Sequence, residues 1–286
     1  MSEPKQNNQA GLLQQTAQNN TKNNAVAKAK KTKFAALIKD ANVQNSLVGT
    51  LGDAARTKTF TSSLISAVST NPALQECEGM SIISAALLGE SLNLSPSPQL
   101  GHYYMVPFKD TKAGTTKAAF VLGYKGYQQL AMRYNQYKKI EVSVVKEGEL
   151  AEYDPIYGKY SFEPIKEPLE RENAKTVGYF AYFELLNGFR KELYWPKEKM
   201  EAHALKYSKG YAAKKGYTFW EKDFDGMALK TMYRQLIGKY GIMSVEMQKA
   251  YVNDMTIQSS INPEDNEPEY FDAGVIDATT GEVIEG

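Results

Sequence analysis

Asn187-Gly188 lies between two strand-like runs, Thr176 to Leu186 and Phe189 to Trp195, and no other feature narrows the fold of this chain as far. Asn-Gly readily adopts the backbone angles of a tight turn, so the flanking runs are expected to pair as an antiparallel hairpin. The middle of the chain supplies further strands. His102 to Phe108 and Lys117 to Gly123 read as strands around the turn-rich 110–114, and Lys139 to Lys146 alternates Ile140, Val142 and Val144. One helix is set among them, because Tyr124, Tyr127, Ala131 and Tyr134 fall on one helical face.

Helices are expected on both sides of this β-rich middle. Phe60 to Ser69 and Met80 to Leu92 come first, the second apolar nearly all round and so buried. Pro196 opens a helix to about Lys209, and two more run from Phe224 to Lys239 and from Ser244 to about Asp254. The fold class is therefore α+β, antiparallel sheet and hairpins packed with helices.

Charge divides the chain more sharply than its formal net charge of +1 suggests. Residues 1–33 hold six lysines and one acid, with almost no large apolar side chains, and are expected to be a disordered basic arm. A body from 34 to 257 follows. An acidic, flexible tail is expected over 258–286; from Ala250 to the end there are nine acids and no Lys or Arg. That tail is expected to bind a partner or to discourage nonspecific DNA contact. Cys77 is the only cysteine, which excludes an internal disulfide or a multi-cysteine zinc site and fits a reducing compartment. With no apolar signal core at the start and no run of membrane-spanning length, the reading is cytoplasmic, with no membrane partner.

Several chemistries lack their residues. Gly158-Lys159 and Gly238-Lys239 are both followed by Tyr, so the chain has no ATP-binding phosphate loop, and it has no nucleophile elbow. His102 and His203 are its only histidines, too few for a His-based metal cluster. The case for an enzyme rests on Glu147, Glu149, Glu152, Asp154 and Glu163, which could hold Mg²⁺ in a metal-dependent nuclease. These lie in one polar, Pro-broken segment, and a solvated loop is the preferred reading. His203 is read as a neutral or hydrogen-bonded surface residue.

The positive signal is cations mixed with aromatics. Residues 101–146 carry eight Lys or Arg against two acids, and 206–239 carry eight against three, while 147–172 invert the balance with three against eight. Lys125, Gln129 and Arg133 form one helical stripe, and Lys230 and Arg234 are i, i+4 neighbours. Lys199, His203 and Lys206 share a face, with Lys209, Lys214 and Lys215 in a Gly/Tyr-rich turn beyond. Repeated cations suit backbone phosphates, and aromatic faces suit unstacked bases. Lys109, Lys112, Phe108 and Tyr124 complete the DNA-binding candidates, together with Phe219 and Trp220, which serve equally well as core anchors.

The chain also resembles the RecT family of phage and prophage single-strand annealing proteins from about Phe34 to Met255. Residues 71–108 and 120–134 carry the match, with VVKEGEL at 144–150, residues 219–240 and SVEMQKAY at 244–251. The Leu-Gly-His-x-Tyr-x-x-Pro-Phe and Gly-Tyr-Lys-Gly segments are specific in combination. The resemblance implies binding of single-stranded DNA and of the nascent annealed duplex. It implies annealing without ATP or any other cofactor, Mg²⁺ acting at most through the DNA, in a ring or helical homo-oligomer. A phage exonuclease and a host single-strand-binding protein are the expected partners in a bacterial cell. It further implies a narrow basic groove, for which Lys109, Lys125, Arg133, Lys230 and Arg234 are the candidates, with Lys206, Lys209, Lys214 and Lys215 on a looser match. A passive single-strand coating protein and the nuclease are the competing readings.

Overall fold

A computed structural model describes residues 34–258 except 98, 111–113, 215 and 217, together with three short paired pieces at 269–270, 275–276 and 283–284. The expected basic arm and most of the expected acidic tail lie outside the described residues. The body expected over 34–257 groups into two compact units interleaved along the chain. Among the described residues, those within 34–88, 105–119 and 257–258 form one, and those within 89–104 and 120–256, with the three short pieces, form the other. Among the described residues, no helix is long and apolar enough to cross a membrane.

In the first unit, helix α1 (Ala41–Leu51) starts at Asp40, whose carboxylate accepts the Asn42 N–H at 2.9 Å. Helix α2 (Ala54–Thr70) starts at Asp53, which accepts the Arg56 N–H at 2.9 Å. The apolar pattern alone placed its start at Phe60; the cap adds nearly two polar turns that periodicity cannot see. Helix α3 (Gly79–Ser91) is buried on all sides where expected, with Ile82, Ile83, Ala85, Ala86, Leu87 and Leu88 all closed to solvent.

The second unit is layered. Strands β3 (Tyr137–Lys146), β6 (Thr176–Leu185) and β7 (Arg190–Pro196) form an antiparallel sheet in the order β3-β6-β7. One face of β6 presents Tyr179, Ala181 and Phe183, all buried, toward the long helix α9 (Phe224–Tyr240). There the Tyr179 hydroxyl donates to Asp225 Oδ1 at 2.6 Å and its ring meets Phe224 at 6.3 Å. The Asn187-Gly188 hairpin forms as expected, but not as a two-residue turn. Positive φ is confined to Gly188 (+85°), whose N–H donates to Leu185 O at 3.0 Å, while Leu185 N–H reaches Phe189 O at 2.9 Å. That is the three-residue loop with glycine in the left-handed position.

The other face of the sheet carries what sequence reading took for a solvated loop. Strands β4 (Leu150–Asp154) and β5 (Lys159–Phe162) pair as a hairpin. Its rings pack on the sheet: Phe162 lies 4.7 Å from Phe180, and Tyr153 lies 5.3 Å from Tyr194. At its base Glu149 is buried, accepting Arg171 Nε at 2.6 Å and Nη2 at 3.1 Å, with the backbone N–H groups of Lys146 and Ile165 at 2.8 and 3.2 Å. Burial alone would raise this carboxyl, but the guanidinium and the two N–H groups outweigh it and hold it below its ordinary value of 4.5. Glu149 thus fastens the hairpin, and its oxygens are committed.

Two sequence motifs meet where strands β1 (Tyr103–Asp110) and β2 (Thr115–Leu122) lead into helix α4 (Tyr124–Tyr134). Gly123 N–H donates to His102 O at 2.9 Å. A Cβ on Gly126 would collide with that same carbonyl and with the Leu122 side chain. Leu-Gly-His and Gly-Tyr-Lys-Gly are therefore the two halves of one backbone contact that only glycine permits at 126.

We predict that Gly126→Ala lowers stability by about 1–3 kcal/mol, as overpacking against a fixed backbone does, in urea unfolding; an unchanged midpoint would show that the joint yields. Because Glu149 titrates lower in the folded state than in the unfolded state, its stabilisation is present above pH 4.5 and lost on acidification below it. Glu149→Gln should therefore flatten the loss of stability below pH 4.5, and an acid profile parallel to the unsubstituted protein's would refute this role.

Candidate nucleic-acid interface

Helix α4 turns two different faces outward and inward. Gly126, Tyr127, Leu130 and Ala131 are buried, and Lys125, Gln129 and Arg133 are exposed as one stripe, as the i, i+4, i+8 spacing predicts. The Lys125 stem runs beside Gly101, and its Nζ lies 6.0 Å from the Tyr124 ring centre. The Tyr104 hydroxyl borders the same glycine, and the Tyr104 ring lies 6.0 Å from that of exposed Phe219. Arg133 is held in place by donating to Leu92 O at 2.8 Å. Nearby, His102 Nδ1 accepts the Ser95 N–H at 3.3 Å. Burial, then the charges of Arg133 and Lys125, keep this imidazole below its ordinary pKa, so it is neutral and the local field is positive. Lys125, Arg133, Tyr104, Tyr124 and Phe219 thus make one basic, aromatic surface.

A second cationic surface forms on helix α6 (Lys197–Tyr207). Lys199 Nζ sits 4.4 Å from the Trp195 ring centre, and Lys206 Nζ sits 4.9 Å from that of Tyr207. His203 lies between rings, 4.6 Å from Tyr207, 5.5 Å from Trp195 and 6.4 Å from Trp220. Burial, with the charges of Lys206, Arg234, Lys199 and Lys239, pulls it down to about 4. It is neutral as expected, and half-buried among these rings. Lys239, which sequence reading did not select, joins this field only because α9 ends beside α6.

Lys230 and Arg234 are placed elsewhere, and the groove role that the family resemblance implied for them needs correction. Lys230 is only 6% exposed, and its Nζ donates to Asp254 Oδ1 at 2.9 Å. Arg234 Nη1 lies 3.2 Å from Asp254 Oδ2, and 3.1 and 3.3 Å from the Tyr127 hydroxyl and Tyr251 O. Its guanidinium stacks 4.1 Å from the Tyr251 ring centre. Asp254 further accepts the Leu122 N–H at 2.8 Å and the Tyr127 O–H at 3.1 Å. Burial pulls the Lys230 ammonium below the usual lysine range, with Asp254 opposing. Burial works against Arg234 also, but Tyr127 and Asp254 hold its charge firmly. A phosphate contact needs a cation at the surface, and these two cations serve an internal carboxylate instead.

The remaining candidates are scattered. Trp220 is buried, 5.1 Å from Phe224 and 6.2 Å from Tyr211, so it takes the core-anchor role. Phe108 and the backbone of Lys109 lie on β1 within the first unit. Lys214 is exposed in a turn at φ +49°, and Lys209 opens the short helix Lys209–Ala212. The side chains of Lys109 and Lys209 lie outside the described residues, as do Lys112 and Lys215. Among the described residues, no three His, Cys, Asp or Glu side chains gather where they could hold a metal ion. The acids of the nuclease reading are spread over one hairpin, with Glu149 consumed by Arg171.

Comparison with known proteins adds an independent line. The profile of the RecT family matches residues 58–269. The uncharacterized protein YqaK of Bacillus subtilis (strain 168) is 41% identical over 199 residues, 70% of this chain and 64% of that protein, so the match takes in less than two thirds of YqaK. Protein RecT of Escherichia coli (strain K12) is 32% identical over 216 residues, covering 72% of this chain and 74% of its own length.

The buried cluster separates structural cations from surface ones. Asp254→Ala should cost about 3–5 kcal/mol in urea unfolding, because it strands two buried cations, whereas Lys230→Met should cost much less. Equal losses for the two variants would mean that the cluster is not organised around the carboxylate.

Proposed function

The chain belongs to the RecT family, and on that premise we propose that it binds single-stranded DNA and pairs complementary strands without ATP, as a ring or helical homo-oligomer, in homologous recombination. The observation that supports this reading best is the surface on which Lys125 and Arg133 stand beside Tyr104, Tyr124 and Phe219. Cations spaced along a helix can neutralise successive phosphates and release counterions. Partly exposed rings beside them can receive bases. The Lys199 and Lys206 surface on α6 offers a further run of positive charge along a strand.

Annealing on such a surface needs no bond made or broken by the protein. Two strands repel each other through their phosphates, and their self-structure hides the bases. Cations remove the first barrier, ring contacts lower the second, and base pairing supplies the free energy. That is consistent with the missing phosphate loop. No catalytic residue and no cofactor is assigned; Mg²⁺ would act through the DNA. A single protomer of this size offers only a few cations, so linked copies give the strand multivalent contact. The proposed setting is the cytoplasm of a bacterial cell, with a phage exonuclease supplying 3′ overhangs and a host single-strand-binding protein as competitor or partner.

The test is pairing of labelled complementary oligonucleotides with no nucleotide present. We expect faster pairing with the protein than without it; slower pairing would identify a passive coating protein, and shortened strands with Mg²⁺ a nuclease. Within that assay, Lys125→Ala should weaken single-strand binding and reduce the slope of log affinity against log salt by about one unit, with stability unchanged. An unaltered slope would remove Lys125 from the interface.

A further inference from the structure

The β4–β5 hairpin ends in a turn that displays apolar side chains to water. Asp154 accepts the N–H groups of Ile156 and Tyr157 at 2.9 and 3.0 Å, and Gly158 closes the turn at φ +64°. Behind it Tyr153 stacks on Tyr160 at 5.8 Å, and both rings lean on Tyr194 at 5.3 and 6.0 Å. On this braced support Ile156 is 87% exposed and Tyr157 is 79% exposed. Large apolar side chains on a turn whose backbone is already fixed lose less chain entropy on docking, which suits them to anchor an interface.

Charge indicates what the tip can meet. Residues 147–172 contain eight acids and three basic residues. Of these, the strands that carry the tip hold Glu152 and Asp154 against Lys159. Such a field repels phosphates, so the tip is unsuited to DNA and suited to a basic-rimmed apolar surface. The same unit carries one where α9 runs into helix α10 (Val245–Val252). Tyr240, Ile242 and Val245 are exposed there, Val245 at 82%. Lys239 and Lys249 lie beside them in the chain, with Glu246 between, and Lys191 Nζ lies 4.7 Å from the Tyr240 ring centre.

We propose that the Ile156–Tyr157 tip of one copy docks on the Tyr240, Ile242 and Val245 surface of a second copy, the acidic flanks of the tip facing the lysines around that surface. This rests on the oligomeric reading above and assigns its contact. Val245 stands at the start of α10, facing away from buried Met247 and Ala250, so a docked side chain need not disturb the core.

The experiment has two arms. In mass photometry of the full chain with and without single-stranded DNA, Ile156→Ser with Tyr157→Ser should shift assemblies toward monomer, raising the dissociation constant roughly 10- to 100-fold, as loss of an interface anchor does. In a Cys77→Ser background, mixing Ile156→Cys with Val245→Cys and oxidising gently should give a covalent dimer far in excess of either protein alone. An unsubstituted protein that stays monomeric under all conditions overturns the oligomeric reading itself. Normal assemblies in the tip variant overturn this contact alone. Normal assemblies with weakened DNA binding would make the tip a nucleic-acid contact and equally overturn it.

Discussion

Asp254 sits at the centre of the second unit with its carboxylate fully closed to solvent. A lone buried carboxylate would cost several kcal/mol, so its surroundings must supply charge and hydrogen bonds with good geometry. Four groups do so: the Leu122 N–H at the end of β2, the Tyr127 hydroxyl on α4, and Lys230 and Arg234 one turn apart on α9. Strand end and two helices are thereby fixed to one point. The orientation of α4 follows, because Tyr127 can reach Asp254 only with Lys125 and Arg133 turned out to solvent. Two cations on one acid leave the cluster net positive, and Arg234 adds to the field around His203 on α6.

The surface chemistry is built on this internal arrangement. The joint between Leu-Gly-His and Gly-Tyr-Lys-Gly brings the backbone at 101–102 onto the first turn of α4, so that the Tyr104 hydroxyl and the Lys125 stem both border Gly101. Glycine at 126 is thus a matter of approach, not of flexibility. Residues 147–172 hold eight acids against three basic residues, and Glu149, the acid that turns inward there, is neutralised by Arg171. Such segregation along the sequence lets a nearly neutral chain of net charge +1 set strongly basic stretches beside strongly acidic ones.

Much of the fold was legible from local pattern. The Asn187-Gly188 hairpin, the buried helix over residues 79–91, the amphipathic α4 and the long α9 all stand where periodicity and turn chemistry place them. The β4–β5 hairpin was not legible, since its short strands are half polar and its stability comes from rings that pack on Phe180 and Tyr194, distant in sequence. The extension of α2 to Ala54 was missed because its first turns are capped and polar. The exposed stripe of Lys125, Gln129 and Arg133 was read correctly, because buried Tyr127 and Ala131 mark the opposite side of the same helix.

Lys230 and Arg234 show the limit. Their i, i+4 spacing says that they share a face of α9, and the sequence by itself determined that much, together with the α+β class and the alternation of basic and acidic segments. Whether that face meets water or protein was decided by Asp254, which lies 24 residues from Lys230 and binds a backbone group 132 residues away from itself. Periodicity relates neighbours along one element; the dielectric around a charge depends on which distant element closes over it. Only the tertiary structure could therefore divide the cations of this chain into those that hold its core and those left to meet a phosphate.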